Sequence, residues 1–225
     1  AEFTYKDWLM FLPGLRYENV VTTSTGFASF QPSTPGPILG TIPGSPTAAE
    51  SSNEFYLPMV HLRISPTKTF YTHLSYTETL SRPQLDQMNP TSYTNSGFAP
   101  FQYIARSPYL EVEKWKNYDA QLTYHGSKIA LLSVTGFYKT VNNQIWERNY
   151  TRIKGDPIIE PFPDAALVNV RRTENHTNEI NLKGAEFELQ TSFGYLDNWF
   201  KYFTVNLNYT YTESSTVYPI SNLKQ

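Results

Sequence analysis

Four histidines, His61, His73, His125 and His176, are the imidazole metal ligands available to this chain of 225 residues, which has no cysteine thiolate. They are scattered singly, with no pair at metal-ligand spacing along the sequence. His61 and His73 approach each other only if their strands pair across Ser65-Pro66-Thr67-Lys68; both then stand on one polar face, as wall residues rather than a metal centre. Glu186 and Glu188 are carboxylates two positions apart, which on a strand point the same way, whereas glycosidic carboxylates must flank a bond from opposite sides. No glycine-rich phosphate loop, nucleophile motif or zinc helix occurs, so neither catalysis nor a cofactor is expected. Arg16, Arg63 and Arg82 fall on or near the same polar face and suit either an anionic ligand or protein packed against that face. Trp146, Tyr150 and Phe162 are read as exposed rings that stack on sugars or pack on apolar ligands, with loop packing the competing role.

These residues are carried by segments of period two. Phe203, Val205, Leu207, Tyr209 and Tyr211 alternate with Thr204, Asn206, Asn208, Thr210 and Thr212, giving one oily face and one uncharged polar face. The same division separates Phe70, Thr72, Leu74 and Tyr76 from Tyr71, His73, Ser75 and Thr77. It recurs at 118–125 and 185–190 and more weakly at 56–64. Alternation and breakers together predict seven strands, near 8–23, 55–65, 69–80, 113–125, 128–150, 167–191 and 202–214. The connections alternate in length: long at 24–54, 81–112 and 151–166, short near 65–68, 125–128 and 193–198. Strands of about ten residues, oily on one face and joined by alternately short and long connections, are the pattern of a transmembrane β-barrel. The residues 140–154 and 167–178 exceed that crossing length and carry Asn142, Asn143, Glu147, Arg148, Arg171, Arg172 and Glu174, so they are expected to project into water as one hairpin.

Composition narrows the classes. A net charge of -2 without a basic run argues against a nucleic-acid surface. No apolar run reaches the roughly 18 residues of a spanning helix, which leaves strand-crossing proteins open. The 17 tyrosines fit either a soluble β protein or the aromatic girdles of a barrel. The start, Ala-Glu-Phe-Thr-Tyr, is not a signal segment, and an internal piece of a longer chain is expected.

Several phrases resemble the barrel of TonB-dependent outer-membrane transporters, in family order. They are Leu12-Pro13-Gly14-Leu15-Arg16-Tyr17-Glu18, the run 74–83 ending Thr79-Leu80-Ser81-Arg82-Pro83, and Ser107-Pro108-Tyr109-Leu110-Glu111-Val112-Glu113. Gly136-Phe137-Tyr138-Lys139, Asn143-Gln144-Ile145, Lys183-Gly184-Ala185-Glu186 and Leu207-Asn208-Tyr209-Thr210-Tyr211 follow. Ser107 and Val112 depart from the Asn and Lys of the family phrase, and the chain ends Asn222-Leu223-Lys224-Gln225 instead of on an aromatic.

The resemblance implies an all-β fold, residues 1–225 forming one partial barrel domain of an antiparallel barrel of about 22 strands whose lumen holds a plug domain lying outside this sequence. It implies no enzyme, but an active importer of a scarce nutrient such as a siderophore, glycan or peptide, in the outer membrane of a Gram-negative bacterium. Implied partners are the plug, the TonB complex acting through the plug, and outer-membrane lipid; a surface lipoprotein is left open. Packing against the plug is then the preferred role for Arg16, Arg63 and Arg82. Two alternatives stand beside it: a secreted carbohydrate-binding β-sandwich or propeller, whose oily faces would pack on each other, and a passive porin-like or enzymatic barrel.

Overall fold

Period-two segments become strands, and the long ones pair antiparallel in sequence order, across short turns and long excursions alike. The computed structural model describes residues 1–31, 42–90, 92–95, 101–126, 129–151, 168–195 and 198–217. Twelve strands lie in it: β1 (Phe3–Tyr5), β2 (Leu9–Gln31), β3 (Ile42–Ile64), β4 (Phe70–Ser81), β5 (Ser92–Asn95), β6 (Phe101–Ala105), β7 (Glu113–Tyr124), β8 (Ile129–Asn142), β9 (Ile145–Thr151), β10 (Val168–Asn175), β11 (Ile180–Ser192) and β12 (Thr204–Ser215). A 3-10 turn at Asn198–Tyr202 joins the last two.

Strands β2, β3, β4, β7, β8, β11 and β12 form an antiparallel meander, the wall. The end of β2 pairs in parallel with β5; β5 then pairs with β6, β6 in parallel with β10, and β10 with β9. The two long excursions, after β4 and after β8, therefore meet in a small sheet beyond the long-loop end of the wall. The described strands form an open sheet ending at β12 and β9. In lipid, such an edge needs a neighbouring strand to satisfy its backbone groups.

Four expected boundaries move. The expected loop 81–112 holds the strands β5 and β6, drawn into the sheet by pairing with the end of β2 and with β10. The stretch 24–54 is largely strand rather than loop: β2 runs on to Gln31 and pairs with β3 through Val21↔Ser52 and Gly26↔Thr47. The expected strand 128–150 divides at Asn143, whose φ of 59° is left-handed, a conformation asparagine tolerates. The expected strand 167–191 divides after Asn175, where the His176 amide donates to the Gln144 carbonyl at 2.7 Å. The expected loop 151–166 lies, apart from Thr151, outside the described residues.

Directly paired residues share a face, so the ladders carry both faces across the sheet. One row reads Ile64, Thr72, Leu122, Val134, Phe187 and Tyr209; the next reads Leu62, Leu74, Ala120, Gly136, Ala185 and Tyr211. This oily face is bare: Leu122 is 51% exposed, Val134 45% and Leu207 54%. No second sheet covers it among the described residues, which is the reverse of a sandwich. Its apolar band ends in tyrosines at the long-loop end, where Tyr76 and Tyr118 lie 4.9 Å apart and Tyr17 and Tyr56 5.1 Å apart. At the short-turn end Trp199 packs on Phe200 and Phe203, with Tyr5 against Trp8 nearer the start of the chain. Two aromatic belts flanking an apolar band suit the two interfaces of a bilayer. Among the described residues the buried apolar side chains are few, Ala49, Leu57, Leu110, Val141, Val168 and Val170, with His176 buried as well.

Candidate functional site

The opposite face of the wall is polar row by row. One row holds Arg63, His73, Gln121, Thr135, Glu186 and Thr210. The row beside it holds His61, Ser75, Asp119, Phe137, Gly184 and Thr212, and a third holds Tyr71, Thr123, Ser133, Glu188 and Asn208. Hydrogen bonds link these side chains: Ser75 Oγ donates to Asp119 Oδ2 at 3.2 Å, and Gln121 Nε2 to Ser133 Oγ at 3.0 Å. Glu186 and Glu188 occupy successive rows of this face, pointing the same way.

His61 and His73 meet as strand pairing across the 65–68 turn requires. Nδ1 of His61 and Nε2 of His73 are 3.3 Å apart, with ring planes inclined by 18°. Arg63, directly opposite His73, holds its guanidinium 4.4 Å from the centre of the Tyr71 ring. Arg16 and Arg82 come together through one carboxylate: Glu18 accepts from Arg16 at 2.7 Å and from Arg82 at 2.5 Å. Two guanidinium groups on one acid leave a local excess of positive charge near the outer mouth.

The projecting hairpin has an inner and an outer face. Val168 and Val170 are buried, while Asn169 and Arg171, alternating with them, are exposed. Tyr150 pairs with Val170 and Trp146 with Glu174, so both rings belong to the half-buried face rather than standing free in solvent. Trp146 meets buried His176 edge-on at 5.4 Å, and Arg148 lies 4.8 Å from the centre of the Tyr150 ring. The exposed face carries Glu147, which bonds Arg171 Nε at 2.6 Å and accepts from Asn149 Nδ2 at 3.2 Å. The Arg171 bond holds the Glu147 carboxyl below its usual range. Gln102, Ile104, Asn149, Tyr150, Thr151, Asn169, Val170 and Arg171 line a groove of about 470 Å³. Phe162 lies outside the described residues.

A cluster that the sequence did not single out anchors this hairpin. Asn175 Nδ2 donates to the carbonyls of Glu111 and Asn143 at 2.9 and 2.7 Å, while its Oδ1 accepts from the Glu111 amide at 2.9 Å. Asn143 Nδ2 donates to Glu111 Oε2 at 2.6 Å, and the Ile145 amide to Glu113 Oε1 at 2.9 Å. The Asn142-Asn143 pair was the available signal, since adjacent asparagines favour a turn.

The arrangement is a wall greasy outside and polar inside, topped by a folded vestibule. A family model described as TonB dependent receptor-like, beta-barrel, matches residues 1–224. The chain belongs to the TonB-dependent receptor family. Solved TonB-dependent receptors share the fold. The hemophore receptor HasR of Serratia marcescens, solved as a double mutant with its hemophore and heme, superposes with a TM-score of 0.64 at 14% identity, over 94% of this chain and 32% of that one. The ferric enterobactin receptor PfeA of Pseudomonas aeruginosa gives 0.57 at 16% identity, over 93% and 26%. The siderophore receptor PirA of the same species gives 0.56 at 14% identity, over 90% and 35%. This chain thus spans about a third of these receptors. No curated protein matches it.

Proposed function

We propose that this chain forms about a third of the barrel wall of an active importer in the outer membrane of a Gram-negative bacterium. The importer takes up a scarce nutrient, a siderophore, glycan or peptide, by drawing on the TonB complex through a plug seated in the lumen. One observation carries this reading: a single sheet whose exposed apolar rows back directly onto rows of Arg63, His73, Gln121, Glu186 and Glu188. Lipid wets the first face, and water or plug fills against the second.

In this account Arg63 and His73 face the plug from the lower wall. Arg16 and Arg82, held by Glu18, sit where an anionic ligand or an acidic plug loop passes the mouth. Trp146 and Tyr150 shape the vestibule from its half-buried face. The test is fractionation of the full-length protein, with gel mobility before and after boiling, followed by uptake assays in a deletion strain. The proposal requires an outer-membrane, heat-modifiable protein whose loss abolishes growth on one nutrient; a soluble monomer contradicts it.

A further inference from the structure

We infer that His61 and His73 form an open two-imidazole site on the lumen wall for a first-row divalent cation of the zinc or copper type. The two nitrogens face each other at 3.3 Å, in position for an N–H···N bond that places one proton between two lone pairs. Two metal–imidazole bonds of about 2.0–2.1 Å meeting at a tetrahedral angle span about 3.3–3.4 Å between nitrogens, so the spacing already suits a metal ion, which replaces that proton once each ring turns by roughly 35° to aim its lone pair off the N···N line. The strands hold the rings in place: His61 pairs with Ser75 and His73 with Arg63, one residue pair further along the same ladder.

The surroundings are compatible with a cation. Asp119 lies in the His61 row, bonded by Ser75, and adds negative charge to this face. Arg63 is the opposing charge, and its guanidinium is engaged by the Tyr71 ring. Among the described residues no set of three His, Asp or Glu side chains converges on one point, so the remaining coordination positions belong to water or to a donor from whatever fills the lumen. Such a site is exchangeable rather than structural, and imidazole ligands select zinc, copper or nickel over magnesium or calcium. This inference is independent of which nutrient is imported.

The full-length receptor, purified in detergent without a histidine tag, is titrated with Cu²⁺ and Zn²⁺ by calorimetry, and the Cu²⁺ form is read by electron paramagnetic resonance. The expected result is one ion per chain, two equatorial nitrogens in the spectrum, and no binding of Mg²⁺. Even an outer-shell partner contributes about 10–100-fold to metal affinity, so His61→Gln and His73→Gln should each weaken binding at least about tenfold, while His125→Gln leaves it unchanged. Equal binding in wild type, His61→Gln and His73→Gln overturns the inference, as does absence of stoichiometric binding to the wild type. Unchanged boiling-dependent gel mobility shows that the variants are folded.

Discussion

The ring of Phe137 in β8 lies over Gly184 in β11, and the Tyr211 carbonyl closes the same space from β12, so a Cβ at position 184 has no room. Glycine costs a strand some stability, and here the aromatic ring of the neighbour covers the gap it leaves. Gly184→Ala is expected to destabilise the barrel by about 1–3 kcal/mol through overpacking. Urea titration of the folded form checks this, and Phe137→Ala in the same chain should recover part of the loss.

Leu122 and Gln121 are consecutive in β7 yet face different solvents. Leu122→Arg places a charge against hydrocarbon and should cost about 2–4 kcal/mol, lowering the folded yield. Gln121→Arg, on the polar face, should cost far less. Equal losses in refolding into lipid vesicles would mean the two faces meet the same medium.

Asn175 ties the projecting hairpin to the segment before β7. Asn175→Ala removes three hydrogen bonds in the partly buried clamp and should loosen the hairpin by about 1–3 kcal/mol while leaving the wall intact. Limited proteolysis is the measurement: cleavage between 143 and 180 should accelerate, with the boiling-dependent gel shift unchanged.

The Arg171–Glu147 pair makes the vestibule mildly acid-sensitive. Because Arg171 lowers the folded-state pKa of Glu147 from 4.5, the pair stabilises above that value and loses its contribution as pH falls through the lower, folded one. The pair is largely solvent-exposed, so the effect is below about 1 kcal/mol. Protection factors of the β9 and β10 amides, taken relative to the intrinsic exchange rate at each pH, should fall between pH 5 and pH 3, and Glu147→Gln should remove most of that dependence.

The wall was legible because lipid on one side and water on the other impose a strict alternation. The expected strand 69–80 is found as Phe70–Ser81, and 202–214 as Thr204–Ser215. Beyond the membrane that constraint lapses. Strand β2 continues through Thr22, Thr23, Ser24 and Thr25 with the ladder alone to support it, and polar residues rich in Ser and Thr look like loop. The projection of the hairpin predicts exposed rings at Trp146 and Tyr150. Their strand's phase, set by the pairs Tyr150↔Val170 and Trp146↔Glu174, turns them onto the half-buried face. Asn175-His176-Thr177 matches a glycosylation sequon by chance composition, but Asn175 anchors the vestibule and His176 is buried beneath Trp146. Neither contact leaves a local signature, since the partners lie far off along the chain.

These 225 residues hold no cysteine, so single-cysteine spin labels can be placed at Leu122, Val134 and Leu207 on one face and at Gln121, Thr135 and Asn208 on the other, with any cysteine elsewhere in the receptor replaced. In the full-length receptor reconstituted in lipid, paramagnetic relaxation by oxygen, which concentrates in hydrocarbon, should dominate at the first three. At the second three, a water-soluble nickel chelate should compete or both agents be excluded by the plug. Low oxygen accessibility at Leu122, Val134 and Leu207 would show those side chains buried in protein and contradict a membrane-spanning wall.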